Sequence, residues 1–195
     1  ISLPDSISLN IALDDLSIEI KKVMMQKGMA KVYCEGRIDV SKDFLLEDIQ
    51  ILIEGPDQAF FDILPKNTEF DESFQAYSLS RIVLSGEIIN PKLVAYLDLE
   101  EISGKYLKAK KLTSEITYEK NLIDIKSVMI TDGTGTLDIS SQSKMSLEDI
   151  KNGGRVDLKL DFDNFKTKSI FHFLNGKLDP FSAALTGQIQ AKATK

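Results

Sequence analysis

The chain has 195 residues, 43% of them hydrophobic, 28% charged and 8% aromatic. That apolar share excludes wholesale disorder and collagen-like repetition, and no apolar run approaches the ~20 residues of a membrane-spanning helix. Thirty acidic against 24 basic residues give a net charge of −6, and arginine occurs only at Arg37, Arg81 and Arg155. An acidic chain with so few bidentate clamps and no basic stripe is not expected to bind nucleic acid.

In chain order, one period dominates. Apolar and polar residues alternate over 9–13 and 16–20, with a phase slip at Asp14-Asp15 that reads as a tight turn or bulge. Ala30, Val32, Cys34, Gly36, Ile38 and Val40 then alternate with Lys31, Tyr33, Glu35, Arg37 and Asp39. Weaker alternation follows at 82–88, 93–99, 112–118, 123–125 and 137–139, and it is strong again at 156–163 and 183–191. Successive strand side chains point to opposite faces, so each stretch has one apolar and one wet face. Turn residues separate the runs at Gln26-Lys27-Gly28, Asn90-Pro91, Glu119-Lys120-Asn121, Thr131-Asp132-Gly133 and Asn152-Gly153-Gly154. The spacing predicts about a dozen strands in an antiparallel, all-β meander. Short helices are expected at 57–64, 146–150 and 167–174.

Little in the chain suggests chemistry. A single Cys34 and a single His172 exclude an internal disulfide and a Cys/His zinc site. Asp132-Gly133-Thr134-Gly135-Thr136-Leu137 nearly matches the aspartyl-phosphate loop of P-type pumps, but Gly133 stands where those pumps have lysine. A Gly-rich hairpin turn is the expected reading. His172 lies between Phe171 and Phe173, which suits a packed side chain better than a general base. Cys34 falls on the apolar phase of its strand and reads as a small hydrophobe. The pairs Asp14-Asp15, Glu100-Glu101 and Glu148-Asp149 are adjacent, so in strands they would face opposite sides and make no two-carboxylate site. No catalytic constellation, metal site or cofactor site is expected, and the chain is not read as an enzyme.

From residue 86 onward a family resemblance enters. Gly86-Glu87-Ile88-Ile89-Asn90-Pro91-Lys92-Leu93 resembles the G-x-I-x-x-P-x-L units of TamB proteins, within the wider AsmA-like group. Ile102-Ser103-Gly104-Lys105-Tyr106-Leu107, Leu112-Thr113-Ser114-Glu115-Ile116-Thr117-Tyr118 and Leu122-Ile123-Asp124-Ile125 keep the same rhythm. The tail, through Phe173-Leu174-Asn175-Gly176 to Leu185-Thr186-Gly187-Gln188-Ile189, resembles a further unit of strand, short helix and strand. The likeness covers 78–195, whereas 1–77 share only the alternation; the chain reads as one β-groove segment of a larger protein, with sub-units 1–77 and 78–195.

The resemblance implies a long, twisted antiparallel sheet curled into a taco-like hydrophobic groove that is open along one side. It also implies a periplasmic location, in a protein anchored in the inner membrane outside this segment and partnered by a BamA-like outer-membrane barrel. The implied function is passive conduction of phospholipid acyl chains between the two membranes, for which no nucleotide or metal is needed. The expected lining is the apolar phase: Ile82, Leu84, Ile88, Leu112, Ile116, Val156, Leu158, Leu160, Phe162, Leu185 and Ile189. A closed sandwich core would show the same alternation. A structural module that docks proteins through its sheet edges is the alternative function. Cutting such a sheet from its neighbouring units would leave unpaired edges near 1–20 and 182–194, and self-association through them is expected as an artefact of the cut.

Overall fold

The computed structural model describes residues 4–56, 75–103, 108–146, 148, 156–166 and 184–193. These residues are almost wholly strand: β1 (Ser6–Leu13), β2 (Ser17–Lys27), β3 (Ala30–Asp39), β4 (Leu45–Pro56), β5 (Gln75–Glu87), β6 (Lys92–Ser103), β7 (Lys108–Glu119), β8 (Leu122–Thr131), β9 (Thr136–Ser141), β10 (Met145–Ser146), β11 (Val156–Lys166) and β12 (Ala184–Ala193). A 3-10 turn, Val40–Lys42, joins β3 to β4. The strands form one sheet in chain order from β1 to β9, followed by β11 and β12, while β10 pairs back onto the start of β8. Every pairing is antiparallel. β1 and β12 do not meet, so the sheet is not a barrel. The expected all-β antiparallel meander of about a dozen strands is therefore present. The helices expected at 57–64 and 167–174 lie outside the described residues, as do His172 and the 152–154 turn. Of 146–150, only Ser146, which ends β10, and Glu148 are described.

The turns follow from their residues. At the phase slip, the Asp14 carboxylate accepts hydrogen bonds from the Leu16 and Ser17 amides at 2.9 and 2.6 Å and from the Ser17 hydroxyl at 2.8 Å. This Asx-type cap replaces the missing ladder and returns the chain as β2. Lys120 and Asn121 both adopt positive φ, at 51° and 62°, the conformation a two-residue hairpin needs to match strand twist.

Inside several strands the alternation breaks, and each break has the same form. Ile20 is followed by Val23 in β2, Leu46 by Ile49 in β4, Leu99 by Ile102 in β6, Ile125 by Val128 in β8, and Phe162 by Phe165 in β11. At each break the pairing register shifts by one residue. A β-bulge absorbs one extra residue, so a spacing of three across it returns the next apolar residue to the original face. Asp48, Glu101 and Asn164 carry the strain at three of these points, with φ of 49°, 50° and 49°.

Gly36 sits opposite the β4 bulge with φ of 143°. A Cβ there would lie 2.7 Å from the Ile49 Cα and 2.8 Å from the Asp48 carbonyl oxygen, so neighbouring backbone fixes the residue as glycine. Gly28 also has positive φ, at 57°, but a Cβ there would meet nothing within 4 Å. Gly36→Ala should destabilise the fold by roughly 1–3 kcal/mol in urea titrations, whereas Gly28→Asn should cost a few tenths, since asparagine tolerates the left-handed region. Equal effects at the two positions would contradict this account of the bulge.

Candidate functional site

Followed through the ladders, the register divides the sheet into two faces of opposite character. One face carries Ile7, Leu9, Ile11 and Leu13 of β1 opposite Met25, Val23, Ile20 and Ile18 of β2. It continues through Val32, Cys34 and Ile38 of β3 opposite Ile53, Ile51 and Leu46 of β4, and on through Ile82 and Leu84 of β5. Leu93, Ala95, Leu97 and Leu99 of β6 and Ile116 and Leu112 of β7 extend it. Beyond them come Ile125, Val128 and Ile130 of β8, Leu137 and Ile139 of β9, Leu158, Leu160 and Phe162 of β11, and Leu185 and Ile189 of β12. Lys27, the last residue of β2, is the charged residue that this register places on the apolar side, at its rim.

Of the residues expected to line a groove, Ile82, Leu84, Leu112, Ile116, Leu158, Leu160, Phe162, Leu185 and Ile189 share this face. Ile88 does not: β5 ends at Glu87, and Ile88 is an exposed residue of the following turn. Val156 is placed by its backbone alone, opposite Ala193. The expected lining contains no residue of β1, β2, β3, β4, β6, β8 or β9, whose apolar residues lie on the same face. For β2, β4 and β8 the usable signal was the spacing of three across a bulge.

Burial is graded along the face. Ala76, Ile102, Ala109, Ile130, Leu137, Phe162 and Phe165 form one buried cluster at one end of strands β5 to β9 and β11, with Phe165 1% and Ile102 2% exposed. Along β2 to β4 the apolar residues are mostly half-buried, and along β1 they are exposed. Apart from Lys27 at the rim, the polar groups noted on the face are hydroxyls. Ser78 and Ser80 hydrogen-bond each other at 2.8 Å, and the Asp98 amide donates to the Ser80 hydroxyl at 3.3 Å. Cys34 is half-buried, and burial first, then the Glu35 charge, pushes its thiol pKa up, so it is no reactive thiolate.

The other face carries the charge, and it also exposes Leu52, Leu79 and Met129. Lys111 pairs with Asp98 at 2.9 Å and with Glu100 at 3.3 Å, Lys159 pairs with Asp161 at 2.8 Å, and Arg37 lies 3.8 Å from Glu47. Arg81 stacks over Tyr96 at 4.7 Å and Lys22 over Tyr33 at 5.3 Å. Such exposed pairs add little stability each, but they keep ionic groups off the apolar side. The bulge at Glu101 corrects one expectation: adjacent Glu100 and Glu101 both border a single shallow hollow of about 500 Å³, with Lys110, Lys111 and Asp163. Two lysines offset two of its three carboxylates. No group of three or more potential metal ligands occurs among the described residues.

The Asp132 loop is the β8–β9 turn. Asp132 accepts through Oδ1 from the Thr134 amide at 2.8 Å, the Thr134 hydroxyl at 2.7 Å and the Gly135 amide at 3.0 Å. Its Oδ2 accepts from the Lys166 amide on β11 at 3.0 Å. Desolvation works to raise the carboxyl pKa, but these hydrogen bonds outweigh it and hold it at about 2. The aspartate is thus a tie between the hairpin and β11, with both oxygens engaged. Because the folded-state value lies below the unfolded value of ~4, its stabilisation is complete above pH ~4 and is lost as pH falls through about 2. The stability gap between wild type and Asp132→Ala in urea melts should therefore narrow between pH 4 and 2; a gap constant over that range would contradict the tie. No protein-family model, curated protein or solved structure matches the chain.

Proposed function

We propose that the apolar face of this sheet is a surface for lipid acyl chains, and that the chain is a segment of a periplasmic bridge along which phospholipids pass between membranes. The observation that carries the reading is the continuity of an apolar face across an unclosed sheet, from β1 to β12, with the charged ladders on the opposite side. Exposed contiguous apolar surface beyond a few hundred Å² is unusual on an isolated soluble domain and marks a binding surface. Eleven strands in the main path, at ~4.8 Å each, give a track about 50 Å long. The buried cluster, at one end of strands β5 to β9 and β11, supports a sheet curled across its middle, with both terminal strands, β1 and β12, more open.

The physics of transfer suits such a track. Moving an acyl chain into water costs about 0.8 kcal/mol per methylene. A lining without charge from strand to strand keeps that cost nearly constant along the path, so a lipid meets no deep well and no high barrier. Head groups would stay in water at the open side. Nothing in the lining supplies direction, so net flow follows the gradient.

A photo-crosslinking residue at Leu84 or Leu158 should yield lipid adducts after exposure to phospholipid vesicles, and the same residue at neighbouring Ser85 or Lys159 should not. Equal labelling on both sets, or on neither, would sink the proposal. Leu158→Arg should block lipid pick-up while keeping the far-ultraviolet circular dichroism of the wild type, because an open face lets the guanidinium reach water. A sealed core would unfold around the buried charge.

A further inference from the structure

We propose that the row of hairpin turns along one long edge of the sheet is a membrane-docking rim, and that its partner is the surface of a zwitterionic bilayer. In an antiparallel meander, alternate turns fall on the same edge. The connections from β1 to β2, β3 to β4, β5 to β6 and β7 to β8 therefore stand side by side, and the last three join strands flanked on both sides. Every one of these connections exposes a large apolar residue: Leu16 is 60% exposed, Phe44 47%, Ile88 50%, Ile89 88% and Leu122, the first residue of β8, 38%. Turns ordinarily carry polar residues and glycine. At the opposite edge, of the two turns described, 28–29 exposes Met29, while 132–135 holds Asp132, Gly133, Thr134 and Gly135.

The backbone fixes these tips outward. Phe44 has φ of 61°, after Asp43 at 53°, in a left-handed region that a bulky residue rarely adopts. The Leu16 carbonyl accepts from the Val40 and Ser41 amides at 2.8 and 3.4 Å, which ties the first two turns together. The Asn90 amide closes the Ile88-Ile89 turn onto the Glu87 carbonyl at 3.0 Å.

The arrangement specifies the partner. Neighbouring tips are two strands, about 10 Å, apart, with charged or polar residues such as Asp15, Lys42, Asn90 and Lys120 between them. A fluid interface takes in separate apolar residues at any spacing and leaves the polar groups among the head groups. Lys42, Lys92 and Lys120 are matched by Asp43, Glu87 and Glu119, and Asp14, Asp15 and Asp39 add to the acidic side. The rim thus lacks the basic excess that draws a protein to anionic lipid. Along β5 and β6 the apolar face is sealed at the far edge, at Ala76 and Ile102, and only half-buried toward this rim, at Leu84 and Leu93. Docking here turns the looser half of the face toward the bilayer. The docking itself needs only the tips and stands whether or not the face takes up lipid.

The chain contains no tryptophan, so single introduced tryptophans report position. In the 195-residue chain, Ile89→Trp and Phe44→Trp should shift their emission to the blue with phosphatidylcholine vesicles and be quenched by brominated acyl chains. Met29→Trp, at the opposite edge, should show neither. In flotation assays Ile89→Ser should weaken vesicle binding roughly tenfold, and Phe44→Ser by a similar factor, with circular dichroism unchanged. Enriching the vesicles in phosphatidylglycerol should not tighten binding. Leu84→Arg, which charges the apolar face, should still float. Wild type that does not float, quenching of Met29→Trp equal to that of Ile89→Trp, or wild-type flotation of the two serine variants would overturn the proposal. So would loss of flotation in Leu84→Arg, which would assign membrane binding to the apolar face. Self-association that Ile89→Ser abolishes, without vesicle binding, would assign the rim to a second copy and overturn it as well.

Discussion

The structure depends on one constraint: apolar side chains must stay on the same side of a sheet whose strands each have only two sides. A strand reverses its facing at every residue, so a single insertion would turn all later apolar residues toward water. This chain meets the constraint by spending its extra residues at bulges. Where the sequence departs from alternation, as at Lys21-Lys22, Glu47-Asp48, Glu100-Glu101 or Asp163-Asn164, the backbone departs too, and the two departures cancel. The residues at these points are charged or polar, which suits a backbone that bulges on the wet face. Asp48, Glu101 and Asn164 accept positive φ to do so, a strain of order 1 kcal/mol or more for residues other than glycine.

The consequences run in both directions from that face. On the wet side, cross-strand pairs such as Lys111 with Asp98 and Glu100 and stacked pairs such as Arg81 with Tyr96 are numerous and individually weak, as expected where water competes. On the apolar side, packing is uneven. Phe165 and Ile102 are sealed, and they anchor one end, while β1 is left with large aliphatic residues in solvent. Ile189 of β12 is 53% exposed as well, so both outer strands are open while the middle is packed. The pattern is intelligible if the open part is covered by something other than this sheet, as an acyl chain would do.

Much of this was legible in the sequence. Regions with unbroken alternation, at β3, β5, β9, β11 up to Phe162, and β12, announce both strand and face, and the residues expected to line a groove come from β5, β7, β11 and β12. Turn chemistry was equally legible: Asp14, Asn90-Pro91 and Lys120-Asn121 mark reversals that exist. β4 and the second halves of β2 and β8 are hidden from strict alternation, because each contains or follows a reset at a bulge. Ile49, Ile51 and Ile53 are as regular as any run, but Leu46 lies three residues before Ile49 and disguises the strand. Ile88 was misplaced for the opposite reason: it continues the phase of Ile82 and Leu84 past the point where Glu87 hydrogen-bonds into the turn with Asn90. The Asp132 loop illustrates a third limit. Its sequence announces the hairpin turn, through Asp132 and the glycines, but not the tie to β11 through the amide of Lys166, distant in the chain.

The central claim is that the continuous apolar face binds lipid. Mass spectrometry of organic extracts from the chain, purified without detergent from a cell envelope fraction, tests it most directly. The account predicts phospholipid in amounts comparable to the protein, lost when a charge is placed mid-face by Leu84→Arg in a variant whose circular dichroism is unchanged. Lipid-free protein that remains folded, with a face that takes up no added phospholipid, would contradict it.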